Sequence, residues 1–161
     1  MRVICFHDPQ GENGFLSNWY PCEFFLDGRK FTSSEQYFMY RKALLFKDEG
    51  AARRILATSD CGQIQQISRR ISNYNDRIWN GYRQLVMYEA VYAKFSQDPE
   101  LKAKLLATGS EVLAEASLSD RIWGIGLRMN DSRIFNKKNW QDGKNLLGFT
   151  LMKVRADLEK S

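Results

Sequence analysis

Histidine is scarce in this sequence, because His7 is the only one among 161 residues. A lone histidine leaves little material for Ser-His-Asp or Cys-His catalysis, and we expect it at the surface, where a strand ends. The three cysteines, Cys5, Cys22 and Cys61, show no C-x-x-C spacing. They argue against a disulfide framework or a zinc site, and for reduced thiols in an intracellular, cytoplasmic protein that holds no metal.

Long apolar runs and linkers are also missing. No segment approaches the roughly 20 apolar residues that span a bilayer, and the apolar run near the start is too short for a secretory signal. The chain has three prolines and no internal repeat or low-complexity tract. We therefore predict one domain over residues 1–161, with no membrane partner.

An acidic balance is absent too, since the formal net charge is +5 and the pI is about 9.2. A basic surface favours phosphates, nucleotides or nucleic acid as ligands. However, the basic pairs at 53–54, 69–70 and 137–138 are scattered, with acids between them. The simplest interpretation of each pair is a solvated surface, so charge alone leaves nucleic acid open as a substrate.

The hydrophobic patterns that are present predict an α+β protein, mostly helical, with a small antiparallel sheet. Asp27-Gly28 joins two apolar runs and is typical of a type I′ hairpin turn, and the letters TSSEQ at 32–36 have capping-box spacing. The segment 110–117 fits a strand or a helix end, and 118–142 is expected to be irregular. The other predicted elements are a strand at 2–6, a hairpin at 22–31, and helices at 32–46, 48–58, 60–70, 75–95, 98–107 and 143–158.

Glu35 and Lys42 lie seven residues apart in the first predicted helix, so their side chains nearly eclipse. Phe38, Met39 and Phe46 flank the same line, which places an acid and an amine within an apolar stripe. Two interpretations stay open. Either Glu35 is only the capping-box acid and Lys42 extends to water, or the two form an acid–amine pair that lines a cleft, where partial burial tunes both groups.

The stretch ASLSDRIWGIG at 116–126 gathers a carboxylate, an indole and two glycines: Asp120, Trp123, Gly124 and Gly126. It predicts either a turn with a buried tryptophan or a pocket floor, where the backbone approaches a flat polar ligand closely. The letters G-I-G do not extend to G-x-G-x-x-G, so the stretch is not a dinucleotide-binding fingerprint.

Asn145, Gly148 and Arg155 form a stripe of the last predicted helix, beside its apolar stripe. Gly148 fits the close approach of a neighbouring element. Arg155 beside a core fits two roles, because a guanidinium there can hold either a structural carboxylate or the phosphate of a ligand.

Six blocks of the sequence resemble successive blocks of the NADAR (YbiA-like) family. They are GFLSNWYPCEF, FTSSEQYFMYRKALLF, AKF, LLATG, EASLSDRIWGIG and NLLGFTLMKVR. They occur in the family's order and span nearly the whole chain, which makes the resemblance specific, and it implies the YbiA-like fold. The loop at 127–138 matches no block, and we expect it to set substrate choice.

The resemblance implies an N-glycosidase that needs no cofactor. Some members act on early riboflavin-pathway intermediates, and others remove ADP-ribose from guanine bases. Both kinds of substrate join ribose C1 to an exocyclic amine of a pyrimidinone-type ring, so one pocket can serve either. The partner is then a ribosylated nucleotide that carries ADP-ribose or a phosphoribosyl group. The alternative is a non-catalytic ADP-ribose or NAD binding module, which would not require an intact acid–amine pair.

The family motifs assign site residues one by one. Glu35, Lys42 and Asp120 match catalytic positions: a carboxylate to stabilise positive charge at C1 and position water, and an amine to protonate the leaving group, hold phosphate or attack C1. Trp19 and Trp123 are expected to stack on a base. The other substrate-binding positions carried over from the motifs are Ser17, Asn18, Gly124, Gly126, Asn145 and Arg155.

Overall fold

The computed structural model describes residues 2–140 and 142–161. Over these residues the chain forms six α-helices and four short strands, which confirms the α+β class. It divides into two compact units, one made of the N-terminal segment through Tyr20 with Pro99–Ser161, the other of Pro21–Asp98. The single-domain organisation stays a prediction. In the described part of the chain, every helix is too short or too polar to cross a bilayer.

The elements follow the predicted order with bounds shifted by a few residues. The segment at 110–117 contains a strand, Val112–Glu115, and not a helix end. The region predicted to be irregular contains two short 3-10 helices, Ser132–Phe135 and Lys137–Asn139. In chain order the elements are β1 Val3–Phe6, β2 Phe24–Leu26, β3 Arg29–Phe31, α1 Ser34–Leu45, α2 Glu49–Leu56, α3 Cys61–Ser68, α4 Asp76–Gln97, α5 Pro99–Leu106, β4 Val112–Glu115 and α6 Leu146–Glu159.

Strands β1 and β4 form a parallel pair, with Val3 opposite Val112 and Phe6 opposite Glu115. The expected antiparallel arrangement therefore holds for β2 and β3 but not for this pair. Parallel strands need a long crossover, and here the intervening chain includes all of Pro21–Asp98. Local hydrophobic pattern carries no information about so distant a partner, so it could not give the direction of this pair.

The first unit builds a core around this parallel pair. Leu127, Ile134 and Trp140 contribute to it from the segment predicted to be irregular, and each fully buried aliphatic side chain contributes about 1.5–3 kcal/mol. That segment is therefore folded onto the sheet by its own apolar residues. The buried cluster consists of Val3, Cys5, Val112, Ala114, Ala116, Ile125, Leu127, Ile134 and Trp140.

The hairpin β2–β3 opens the second unit. Asp27 and Gly28 have φ values of 53° and 76°, both left-handed, which agrees with the predicted type I′ turn. The side chain of Gln97 covers the outer edge of β2, because its Oε1 accepts the Phe25 N–H and its Nε2 donates to the Phe25 carbonyl, each at 2.8 Å. One side-chain amide thus takes the place of a neighbouring strand.

Helix α1 packs against α2, α3 and α4 within this unit. Its N-terminus has the predicted capping interactions: Ser33 Oγ accepts the Gln36 N–H at 3.0 Å, and Gln36 Oε1 accepts the Thr32 N–H at 2.8 Å. The Gln36 amide also donates to the carbonyl oxygens of Ile55 and Thr58 at 3.1 and 2.9 Å. Gln36 therefore fixes the start of α1 against the end of α2.

Candidate functional site

Lys42 lies in the last turn of α1, and its side chain is half-buried. Its Nζ donates to the carbonyl oxygen of Ser68 at 3.3 Å and lies 4.6 Å from the centroid of the Tyr74 ring. Both neighbours favour a positive charge, one as an acceptor at a helix C-terminus and one as a π face. The side chain therefore turns toward the end of α3, instead of extending to water.

Burial lowers the pKa of Lys42 below its ordinary value, while the charges of Glu35 and Asp76 oppose that shift. The physical reason is that desolvation disfavours the ammonium form. The amine of Lys42 therefore loses its proton more readily than that of an exposed lysine. The neutral form is the one that can act as a nucleophile.

Glu35 lies in the first turn of α1 and is half-buried. The capping interactions there belong to Ser33 and Gln36, so Glu35 is not the capping-box acid. Its charge acts on two neighbours. It opposes the lowering of the Lys42 pKa, and it adds to burial, the largest cause, in raising the pKa of the Cys61 thiol to about 11. The predicted acid and amine thus interact electrostatically within one unit.

Asp120 forms the turn that follows β4. Its Oδ1 accepts the N–H groups of Ile122 and Trp123 at 3.0 and 2.9 Å, and its own N–H donates to Ser117 Oγ at 3.2 Å. An Asx turn of this kind fixes the local backbone. Of the two alternatives for this stretch, the turn is present, and its tryptophan, Trp123, is half-buried.

Gly124 and Gly126 allow the backbone to fold tightly after that turn. A Cβ on Gly124 would lie 2.6 Å from the carbonyl oxygen of Asp120 and 2.9 Å from that of Glu115. Gly126 has a φ of 76°, a left-handed conformation that favours glycine. Both glycines therefore have a structural reason in addition to any contact with a ligand.

Asn145 and Gly148 join α6 to β4. Asn145 is fully buried with a φ of 51°, and its side chain donates to the Leu113 carbonyl at 2.9 Å and accepts the Glu115 N–H at 3.1 Å. A Cβ on Gly148 would lie 2.1 Å from the Leu113 carbonyl oxygen, so only glycine fits. These two predicted substrate-binding residues thus hold a helix against a strand.

Arg155 lies in α6 and is 7% exposed, with its Nη1 donating to Thr108 Oγ1 at 2.8 Å. Burial lowers its pKa, and the charges of Glu159 and Glu111 oppose that shift. Of the two roles open for this residue, the contact fits the structural one, with a hydroxyl in place of the expected carboxylate. Phosphate binding by Arg155 stays a prediction.

The loop residues Ser17, Asn18 and Trp19 follow a short 3-10 helix, Gly14–Leu16. Ser17 is buried, and its Oγ accepts the Trp19 N–H at 3.1 Å. The resulting turn leaves Asn18 half-buried and Trp19 36% exposed. The indole of Trp19 is therefore accessible, as stacking on a base would require.

A cavity of about 520 Å³ opens at the carboxyl ends of β1 and β4. Sequence reasoning selected none of its lining residues as site residues, although the pattern had a positional signal. His7 directly follows β1 and residues 116–119 directly follow β4, and ligands of parallel sheets bind outside the carboxyl ends of the strands. That signal depends on the direction of the strand pair. The cavity is lined by His7, Ala116, Ser117, Leu118, Ser119, Arg128, Met129 and Asn130.

The predicted site residues fall in both units. Glu35 and Lys42 belong to Pro21–Asp98. In the other unit, the Asn145 N–H donates to the Gly124 carbonyl at 3.0 Å, which joins the W-G-x-G stretch to the start of α6. The predicted residues in that unit are Ser17, Asn18, Trp19, Asp120, Trp123, Gly124, Gly126, Asn145 and Arg155.

Comparison with known proteins places this architecture in a family. Residues 5–159 match the family model of the NADAR domain. N-glycosidase R617 of Acanthamoeba polyphaga mimivirus is 41% identical over 147 residues, which are 88% of this chain and 86% of that protein. The riboflavin biosynthesis protein VVA0006 of Vibrio vulnificus is 34% identical over 159 residues, which are 99% of this chain but 39% of that protein.

Among solved structures, the NMR structure of the Escherichia coli protein YbiA matches 99% of this chain and 86% of its own. The TM-score is 0.81 at 31% sequence identity, which confirms the YbiA-like fold. Since the family model matches nearly the whole chain and these relatives exceed 30% identity, the chain belongs to the NADAR domain family.

Proposed function

We propose that this chain is an N-glycosidase that hydrolyses the bond between ribose C1 and an exocyclic amine. Two relatives are named as N-glycosidases, R617 of the mimivirus and YbiA of Escherichia coli. The observation that carries the proposal here is the half-buried state of Lys42 in the same helix as Glu35. Burial lowers the pKa of its amine, and the charge of Glu35 opposes that shift. Desolvation of an amine is unfavourable, and titratable groups with shifted pKa values are concentrated in active sites.

The reaction builds positive charge at C1 as the bond to the amine weakens. A carboxylate near C1 stabilises that charge and positions water for attack. Glu35 and Asp120 are the two carboxylates we propose for these tasks. Ser33 and Gln36 supply the helix cap, so a role of Glu35 in the reaction does not conflict with capping. Asp120 uses its Oδ1 to hold its own turn, so its second oxygen is the one that would face the sugar.

Lys42 is proposed to act on C1 directly. In the ring-opened sugar, C1 is an imine of the exocyclic amine. The neutral Lys42 amine adds to C1, the bond from C1 to the base amine breaks, and the base leaves with a proton. Water then hydrolyses the imine that joins Lys42 to C1, which releases the sugar and restores the amine.

Two substrate classes share the bond that this mechanism needs. They are ADP-ribosylated guanine, in a nucleotide or in nucleic acid, and the phosphoribosylamino-pyrimidines of early riboflavin synthesis. The name of the Vibrio relative supports the second class. The basic net charge of +5 suits the phosphates of either. Exposed Trp19 and half-buried Trp123 are the rings we propose to stack on the base.

The alternative function is a non-catalytic module that binds ADP-ribose or NAD. The half-buried Glu35 and Lys42 disfavour it, because binding alone does not require an amine whose pKa is lowered. The three free cysteines suit the reducing interior of a cell, which is the basis for proposing a cytoplasmic enzyme.

Incubation with each substrate class separately, followed by mass spectrometry of the released sugar, tests this function. The enzyme is expected to release ribose phosphate or ADP-ribose from at least one class, and Lys42→Arg is expected to release neither. Binding of ADP-ribose without release of sugar from any of these compounds would favour the binding module instead.

A further inference from the structure

We propose that the cavity at the carboxyl ends of β1 and β4 binds the phosphate of a ribose phosphate ester, with Arg128 and His7 as its charged ligands. The inference rests on the proposed function, because it names the part of the substrate that this cavity takes. It also gives a role to the loop at 127–138, which we expected to set substrate choice.

The position of the cavity is the first argument. Ala116 N–H donates to the Phe6 carbonyl at 2.8 Å, so the chain leaves both strands at the same edge of the pair. His7 enters the cavity from one strand and Ser117 and Ser119 from the other. A volume of about 520 Å³ lies within the range of small-molecule sites, roughly 300–1,000 Å³.

The second argument is that the segment carrying Arg128 and Asn130 is held in place. Leu127 before them and Ile134 after them are 1% and 3% exposed. Trp140 is buried as well, and its Nε1 donates to the Ile134 carbonyl at 2.9 Å. The backbone therefore presents Arg128 and Asn130 to the cavity from an anchored loop, as selective binding of a small ligand requires.

The third argument is the chemistry of the lining. Arg128 supplies a permanently charged fork of donors that matches phosphate oxygens. Ser117 Oγ accepts the Asp120 N–H at 3.2 Å, so its own hydroxyl proton remains to be donated to an anion. His7 Nδ1 lies 3.7 Å from Glu115 Oε1, and the Glu115 carboxylate raises the pKa of His7, which favours its charged form.

The fourth argument concerns which part of the substrate the cavity binds, the phosphate or the base. The lining residues include no phenylalanine, tyrosine or tryptophan, so this cavity lacks the large rings that the proposed base contact at Trp19 and Trp123 provides. The same hydrogen bond from Asp120 to Ser117 connects the cavity to the turn of the proposed catalytic carboxylate. A phosphate held here would therefore place the attached ribose toward Asp120.

Calorimetric titration with ribose 5-phosphate, ribose and ADP-ribose tests the assignment. Arg133→Gln is the matched control for Arg128→Gln, because Arg133 is exposed, lies in the same segment and pairs with Asp131 outside the cavity lining. Ribose 5-phosphate is expected to bind more tightly than ribose, and Arg128→Gln to weaken that binding at least about tenfold, which is about 1.4 kcal/mol. Arg133→Gln is expected to bind like the wild type.

The arms of the titration also separate the two sources of phosphate. Tighter binding of ribose 5-phosphate than of ADP-ribose would assign the cavity to a terminal monoester, and the reverse order to a diphosphate. Equal binding of ribose and ribose 5-phosphate, or equal losses in Arg128→Gln and Arg133→Gln, would overturn the proposal. Binding is measured without turnover, so failure here is distinct from failure of the sugar-release assay.

Discussion

The Nζ atom of Lys42 lies 3.3 Å from the carbonyl oxygen of Ser68, the last residue of α3. This hydrogen bond and the contact with the Tyr74 ring fix the orientation of the half-buried Lys42 side chain. Burial also lowers the pKa of its amine. A substitution that keeps the positive charge of Lys42 but removes its amine can therefore separate a nucleophilic role from an electrostatic one.

Lys42→Arg keeps the positive charge and removes the nucleophile. We expect turnover to fall at least about a thousandfold, which is about 4 kcal/mol of transition-state stabilisation, while ligand binding is largely kept. Borohydride added during turnover should attach a sugar mass to the wild type only, as mass spectrometry of the intact protein would reveal. If Lys42→Arg turns over normally, the residue is an electrostatic anchor and catalysis must rest on Glu35, Asp120 and water.

Glu35→Gln is expected to reduce turnover at least about tenfold, through lost stabilisation of charge at C1, and to leave the melting temperature unchanged. Gln36→Leu is the contrasting variant. It removes the partner of the Thr32 N–H and of the Ile55 and Thr58 carbonyls, and we expect it to lower the free energy of unfolding by about 2 kcal/mol or more. Wild-type turnover in Glu35→Gln would exclude Glu35 from the chemistry.

The lowered pKa of Lys42 predicts a pH dependence of stability with a definite sign. In the folded chain the amine releases its proton at a lower pH than in the unfolded chain. Burial of the charge is therefore unfavourable at low pH, and this cost disappears as the pH rises through the folded-state pKa toward the unfolded value. The free energy of unfolding should rise across that window.

Turnover should rise as the pH passes through the folded-state pKa of Lys42 and level off above it, because only the neutral amine attacks C1. Denaturant titrations and kcat/KM profiles of the wild type measure the two effects. In Lys42→Arg the rise in stability should be absent, since arginine keeps its charge. A kcat/KM that does not rise as the pH passes through the folded-state pKa of Lys42 would argue against a nucleophilic amine.

Gly148→Ala is expected to destabilise the chain by several kcal/mol, because the new Cβ would lie 2.1 Å from the Leu113 carbonyl oxygen and force α6 away from β4. Gly81→Ala is the matched control in α4, where a Cβ meets nothing within 4 Å. There we expect a gain of about 0.5–1 kcal/mol from the higher helix propensity of alanine. Equal effects of the two substitutions in denaturant titrations would contradict the close packing of α6 on β4.

Much of the fold was predictable because its signals are local. The left-handed turn at Asp27-Gly28 and the cap of α1 by Ser33 and Gln36 each depend on residues within a few positions of one another. The direction of the β1–β4 pair was not predictable, since its two strands come from distant parts of the chain. The candidate site likewise has some features that local sequence predicts and others that depend on distant residues.

Helical spacing predicted that Glu35 and Lys42 lie on one line of α1, and the structure adds a half-buried Lys42 whose pKa is lowered. The packing of Asn145 against Leu113 and Glu115 could not be read from the sequence, because it depends on where α6 crosses β4. The cavity beside His7 could not be predicted either, because the residues that line it come together only after β1 and β4 have paired.

The parallel pairing of β1 with β4 has a consequence for synthesis of the protein on the ribosome. β1 leaves the ribosome before its partner strand, which follows roughly 100 residues later, after Pro21–Asp98 has emerged. During that interval β1 has no partner strand, so Val3, Cys5 and Phe6, which are buried in the folded chain, are not yet covered by β4. The contiguous unit, Pro21–Asp98, can fold as soon as it has emerged, whereas the other unit can fold only after β4 has been synthesised. A nascent chain that stalls before Val112 would therefore carry an apolar N-terminal strand that chaperones can bind.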